Sequence, residues 1–356
     1  MSLMDRLKAE IGQTGPLTVA QFMARCLHDP EDGYYATRPR LGAEGDFITA
    51  PLVSQMFGEL IGLWCAETWA RLGRPGRVLW VEVGPGDGTL MDDALRACRA
   101  AAPEFLAAAE LWLVETSAPL AQAQRTRLAG ASPAPRWAAR LAELPDDAPA
   151  VLVANEVLDC LPARQFVRAE AGWAERMVGL DERGDLVFGL AGSPADDLLP
   201  EAAPGAVFEL APAQEAFGAE LGALVAGQGG AGLLIDYGRG APGFGDTLQA
   251  LKGHEKVPPL ACPGEADLTV HADFPAVLAA ARAQGAEASP ILTQRDFLLR
   301  LGIEARAQAL GRARPDRAAL IARQLDRLIG EDQMGVLFKA ACIHAPSLVP
   351  PGFEAA

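Results

Sequence analysis

The chain has 356 residues, 50% of them hydrophobic, and 31 Lys and Arg against 46 Asp and Glu give a formal charge of −15. This size and apolar content suit one large α/β domain with insertions, or two domains. The acidic balance excludes nucleic acid as the main partner, because phosphate binding needs clustered cations to displace counterions, whereas a basic protein or peptide would be steered favourably.

Cys26, Cys65, Cys98, Cys160, Cys262 and Cys342 are scattered, with no C-x-x-C pair and no histidine at zinc-finger spacing. They read as free thiols of a reducing compartment. Lysine occurs only at Lys8, Lys252, Lys256 and Lys339, an arginine bias that reflects genome base composition. The chain opens without a basic-then-apolar leader and has no run near the ~20 apolar residues of a membrane span. The expectation is a bacterial cytoplasmic protein without membrane insertion.

Residues 1–75 read as an N-terminal helical addition. Thr18 is placed to cap a helix over Val19 to Leu27, and Phe57, Leu60, Ile61 and Trp64 recur at helical spacing. The next stretch, Arg77 to Leu90, runs through an apolar strand, Val78 to Val83, into Glu82-Val83-Gly84-Pro85-Gly86-Asp87-Gly88-Thr89. Glycine at three alternate positions lets the backbone adopt φ > 0 and approach a ligand closely. A helix from Leu90 to Cys98 would then aim its N-terminal N–H groups into the same space.

A second strand, Leu111 to Glu115, ends in an acid about one βαβ unit later. Its carboxylate has two acceptor oxygens and no donor, which suits a ribose diol. Further strands are expected at Val151 to Ala154 and Leu233 to Asp236, and the alternation with helices predicts a doubly wound parallel sheet, a Rossmann-like α/β fold. Two insertions interrupt it. One, 163–230, carries an antiparallel meander over Gln165 to Ala191 and then a helix. The other, 239–285, is an irregular Gly- and Pro-containing segment expected on the substrate side. Pro290 to Thr293 and Gly335 to Ile343 read as closing strands, the last antiparallel.

Spacing separates two cofactor classes for the glycine turn. Dinucleotide sites use G-x-G-x-x-G, whereas this chain has E-x-G-x-G-x-G, the pattern of S-adenosylmethionine-dependent methyltransferases. With Glu82 for the ligand's ammonium, the cofactor set is Glu82, Gly84, Pro85, Gly86, Gly88, Thr89, Glu115 and Asn155. A metal is not expected, although His254, His271 and Asp273 have the composition of a two-His, one-carboxylate set.

The chain resembles the MidA-like family of S-adenosylmethionine-dependent protein methyltransferases, which includes mitochondrial arginine methyltransferases of complex I assembly. The resemblance spans about Tyr34 to Ile303. It is carried by Gly45 to Pro51, Ser54 to Leu60, Glu82 to Met91, Ala154 to Pro162, Asp236-Tyr237-Gly238, Gly245 to Ala250, Gly264 to Thr269 and Thr293 to Leu298. The family usually has Glu where Leu52 stands, and aromatic residues where Val157 and Leu158 stand.

The resemblance implies S-adenosyl-L-methionine as cofactor, S-adenosyl-L-homocysteine as product, and a protein arginine as acceptor, with a respiratory complex I subunit as the candidate substrate. Methyl transfer gains most from aligning the nucleophile, and a guanidinium, always protonated, asks for carboxylates to orient it. Glu156 is the leading acid at the sheet edge where α/β folds bind ligands, with Asn155 positioning it and Asp159 assisting. Asp46 would act from a lid over the cofactor. Asp236, Asp246, Gln249 and Asp267 are candidates for acceptor binding. Two other readings use the same sheet: a cofactor-binding assembly chaperone without turnover, and an NAD-dependent oxidoreductase.

Overall fold

In a computed structural model, residues 1–37, 49–192 and 199–354 are described, and they form two compact units. The first comprises Ile48–Val157, Glu215–Gly240 and Phe274–Ala356; the second comprises Met1–Phe47, Leu158–Gln214 and Ala241–Asp273. The stretch 1–75, expected as one addition, is thus divided between them.

The first unit is built on a sheet of β1 (Val78–Val83), β2 (Ala109–Val114), β3 (Arg136–Ala138), β4 (Ala150–Asn155), β5 (Gly230–Arg239) and β6 (Phe338–His344). Their spatial order is β6-β5-β4-β1-β2-β3, flanked beyond β6 by the short strand Glu287–Ala288. Among β1 to β6 all neighbours are parallel except β5 with β6, and the flanking strand also pairs antiparallel with β6. The chain therefore winds outward one way through β2 and β3, returns to β4, and winds the other way. The reversal falls between β1 and β4, the switch point at which such sheets bind ligands. Both strands are buried along their whole length, which explains their unbroken apolar runs.

Helix α1 (Gln55–Arg71) and helix α2 (Thr89–Ala101) cross at close range because Gly58 and Gly62 lie one turn apart. A Cβ on Gly62 would fall 2.6 Å from Ala94 Cα, and one on Gly58 would fall 2.9 Å from Leu90 O. Trp64, Trp80, Leu95, Phe105, Val151, Val153 and Leu233 pack into the core on this face. Helix α3 (Ala118–Arg127) follows β2 and is capped by Ser117.

Four differences from the sequence reading have local causes. β3, three residues long, is too short to show alternation and was not anticipated. β6 begins at Phe338 because Met334–Leu337 forms a helical turn. Of the expected strand at Pro290 to Thr293, only Leu292–Thr293 pairs, with β6. Finally, the segment taken as irregular contains a three-stranded sheet, Glu255–Val257, Gln249–Lys252 and Asp267–Thr269, followed by a helix at Phe274–Ala283. Its hairpin turns on Gly253 and His254, at φ 60° and 64°, the two left-handed residues of a type I′ connection.

The second unit contains helices Leu3–Thr14 and Val19–His28, each opened by a capping box, Ser2 with Asp5 and Thr18 with Gln21. The expected meander is present as Arg164–Ala169, Gly172–Leu180 and Leu186–Gly192, all antiparallel, with Val207–Leu210 added beside the first. Leu7, Phe22, Met23, Leu27, Val178 and Leu268 contribute to its separate core.

Candidate active site

Strand register brings three acidic strand ends to one edge of the first unit. Val83 pairs with Val114 and with Ala154, and Asn155 pairs with Ile235. Glu82, Glu115 and Asn155-Glu156 therefore sit at the carboxyl ends of adjacent strands. Beyond β1 the chain turns through Gly84, Gly86 and Gly88, at φ 62°, 56° and 84°. These left-handed conformations explain the alternate glycines. A Cβ on Gly84 would also approach Val157 Cγ2 to 2.9 Å, so the turn after β1 is closely packed on the residue following Glu156.

Glu82 is 2% exposed, and its Oε2 has no hydrogen-bond partner among the described residues. Burial, with smaller contributions from Asp87 and Glu115, pushes its carboxyl well above the usual range. Glu115 is half-buried; Oε1 accepts the Ser117 N–H at 2.7 Å and Oε2 accepts the Gln124 amide at 3.0 Å. Burial raises its pKa too, against those hydrogen bonds.

Asp87 organises the turn. Its Oδ1 accepts the N–H and hydroxyl of Thr89 at 3.0 and 2.6 Å, while Arg127 donates to its carbonyl at 3.0 Å and to Oδ2 at 2.7 Å. The Thr89 side chain is thus engaged within the loop. Sequence reasoning missed Asp87, Arg127 and Gln124; the available signal for the first was an Asp two residues before a helix-starting Thr, an Asx turn.

Glu156 has φ +56°, uncommon for a residue with a side chain and held only where its surroundings over-determine it. Its N–H donates to Ile235 O at 2.8 Å, and Oε1 accepts Ala50 N–H at 3.1 Å and Asn155 Nδ2 at 2.9 Å. Asn155 is 8% exposed, and its Oδ1 has no partner among the described residues. Asp236 lies within β5, which runs on to Arg239 instead of ending there as expected; it is fully buried and accepts the Tyr237 N–H at 2.8 Å.

The remaining candidates belong to the second unit. Asp159 accepts Val270 N–H through its carbonyl at 3.0 Å. Asp246 bonds Gln165 at 3.0 Å and Arg176 at 2.8 Å, which joins it to the meander. Gln249 pairs with Thr269 across the small sheet, and Asp267 accepts the Tyr35 hydroxyl at 3.3 Å. Burial, then Asp267, pushes the Tyr35 phenol well up. Asp46 lies outside the described residues. Among the described residues no three His, Cys, Asp or Glu are arranged to hold a metal.

A glycine turn of this spacing at the switch point of a doubly wound sheet with an antiparallel strand beside β5 defines an S-adenosylmethionine-dependent methyltransferase. A family model described as "putative S-adenosyl-L-methionine-dependent methyltransferase" matches residues 60–291. A zebrafish (Danio rerio) relative named protein arginine methyltransferase NDUFAF7, mitochondrial, is 34% identical over 95% of this chain and 86% of its own length. A Drosophila melanogaster homolog of the same name is 32% identical over 95% and 84%. The crystal structure of a Burkholderia thailandensis protein bound to S-adenosyl-homocysteine superposes with a TM-score of 0.84 at 29% identity, covering 99% of this chain and 93% of that one. The chain belongs to this methyltransferase family, the MidA-like family.

Proposed function

We propose that this methyltransferase acts on an arginine side chain of a protein, with Glu156 orienting the guanidinium. The observation carrying the reading is the left-handed backbone of Glu156, which aims a carboxylate at the switch point and seats it on Ala50 N–H and the Asn155 amide. Strain of this kind concentrates where geometry serves chemistry. The relatives named as protein arginine methyltransferases support the acceptor, and the −15 charge favours approach of a basic segment.

The first unit fits the cofactor. Glu82 offers a buried carboxylate oxygen that meets no cation among the described residues and suits an ammonium. Gly84, Pro85, Gly86 and Gly88 would hold the methionine end, Thr89 would contribute its backbone to that turn, Glu115 would take the ribose hydroxyls, and Asn155 would present its unpaired carbonyl oxygen. When bound, S-adenosylmethionine supplies an electrophilic methyl group on a sulfonium. Glu156 holds the guanidinium fork in line while the attacking nitrogen takes the methyl group and gives up one proton to solvent, and it offsets the positive charge that persists on the methylated guanidinium. We propose Asp159, Asp236, Asp246, Gln249 and Asp267 for acceptor recognition, Asp46 for closure, the cytoplasm of a bacterial cell as the setting, and a respiratory complex I subunit as the protein modified.

The test is transfer of labelled methyl from S-adenosylmethionine into an extract of cells lacking the gene. Wild-type protein should label one band, a complex I subunit carrying methylarginine. Glu156→Gln should bind cofactor normally and turn over about 10²- to 10³-fold more slowly, the scale for losing one oriented charge partner in a transition state. Normal turnover by that variant would overturn the role of Glu156. Cofactor binding with no labelled band would favour a non-catalytic assembly role.

A further inference from the structure

Gln124 on α3 is fully buried. Its Nε2 donates to Gly86 O at 2.8 Å, across 38 residues of sequence, and to Glu115 Oε2 at 3.0 Å. Its Oε1 accepts the Trp137 indole N–H at 2.9 Å. Indole is a donor only, so Trp137 dictates which end of the amide faces it, and both amide N–H groups are directed at the two acceptors opposite. Trp137 is itself held in β3, paired with Leu113, with the Arg125 guanidinium 4.7 Å over its ring. The carboxylate of Glu115 is pinned at both oxygens, by Ser117 N–H on one side and Gln124 on the other.

We infer that Gln124 is a positioning residue for the cofactor. Its amide sets the plane of the Glu115 carboxylate relative to the Gly86 carbonyl, so that ribose recognition and the glycine turn's grip on the ligand are one coupled unit. The inference rests on Glu115 being the ribose-binding acid. A residue that merely filled space would stabilise the loop and influence all ligands alike. A residue that orients Glu115 controls how strongly the site distinguishes a ribose from a ribose lacking a hydroxyl, because a swinging carboxylate no longer meets both hydroxyls at hydrogen-bonding geometry.

The experiment measures calorimetric affinities of S-adenosylhomocysteine and its 2′-deoxyribose analogue, alongside melting of the ligand-free proteins. In wild type the ribose ligand should be favoured by about 10- to 100-fold, the worth of a hydrogen bond to a charged group. Gln124→Met, similar in volume but without the amide, should bring that ratio to within about 3-fold. Trp137→Phe, which frees the amide to flip, should give an intermediate ratio, and it decides the question alone if Gln124→Met fails to fold.

Equal weakening of both ligands with the wild-type ratio preserved would reduce Gln124 to packing and overturn the inference. Failure of the underlying assignment looks different: wild type and Glu115→Gln would then share one ratio, and the coupling would fall with it.

Discussion

Glu59 and Glu82 are both almost wholly buried, 3% and 2% exposed, in the same unit of the protein, yet they end in opposite electrostatic states. Glu59, on α1, is surrounded by donors. Arg306 reaches both oxygens at 2.7 and 3.0 Å, Gln55 donates at 3.0 Å, and Arg96 completes the shell. Burial alone would raise its pKa, but Arg306 and Arg96 outweigh that and hold it below the usual range. Glu82 has no such cation among the described residues; burial, then Asp87 and Glu115, push it well up. Burial therefore does not distinguish a structural acid from a functional one. The counter-charge does: the fold neutralises Glu59 itself and, among the described residues, sets no cation against Glu82, the acid proposed above for a cationic ligand.

Four experiments would break or sharpen that contrast. The largest effect is expected for Glu82→Gln, which should weaken cofactor binding about 10- to 100-fold by removing a charge-assisted bond. The ligand-free variant should melt no lower than wild type, since an uncompensated buried acid has been removed. Calorimetry and a melting curve together check this, and a destabilised variant with intact affinity would reverse the assignment.

Glu59→Gln should do the opposite, leaving cofactor affinity within error while lowering stability by about 1–3 kcal/mol in chemical denaturation. That figure is below the usual cost of breaking a buried pair because the Arg96 and Arg306 side chains are 44% and 38% exposed.

The pH dependence follows from the sign of the Glu82 shift. An ammonium ligand favours the ionised carboxylate, so binding releases a proton, and affinity should rise with pH up to the raised pKa of the free protein and then level. Its slope is at most about tenfold per pH unit. Measurement between pH 5 and 7 keeps an α-ammonium charged, as its ordinary pKa is about 7.7–8.0; Glu82→Gln should flatten the profile. Glu82's contribution to ligand-free stability has the complementary sign. It is fully present below the unfolded carboxyl's pKa and lost as pH rises through the raised folded value.

The smallest effect is expected for Gly62→Ala. Overpacking against the Ala94 backbone costs about 1–3 kcal/mol, partly offset by about 1 kcal/mol of helix propensity. A net loss of roughly 1 kcal/mol in denaturation, without change in ribose selectivity, would place α1 with Glu59 on the structural side. A stabilised variant would show that the Gly58–Gly62 crossing tolerates a methyl group.

Much of the first unit was legible because its signals are local. The apolar runs of β1 and β4 and the three left-handed glycines each express a preference of a few consecutive residues. The second unit was legible in its meander and less so in 239–285, where strands of three or four residues show no measurable alternation. Glu82, Glu115 and Glu156 could be picked out as acids at strand ends. The residues around them could not: Gln124 and Ala50, which bond Glu115 and Glu156, and Trp137 and Arg127, which hold Gln124 and Asp87, are recognised only by what they touch.

By itself, then, the sequence determined the longer elements, the glycine turn and the class of ligand such a turn can hold, because backbone conformation and strand burial depend on near neighbours. Tertiary structure alone decided which buried acid meets an arginine and which does not, how Glu156 is twisted into the left-handed region, and which side chains brace the turn. Those outcomes depend on distances between residues far apart in the chain, such as Glu59 and Arg306, separated by 247 positions, and no local pattern encodes them.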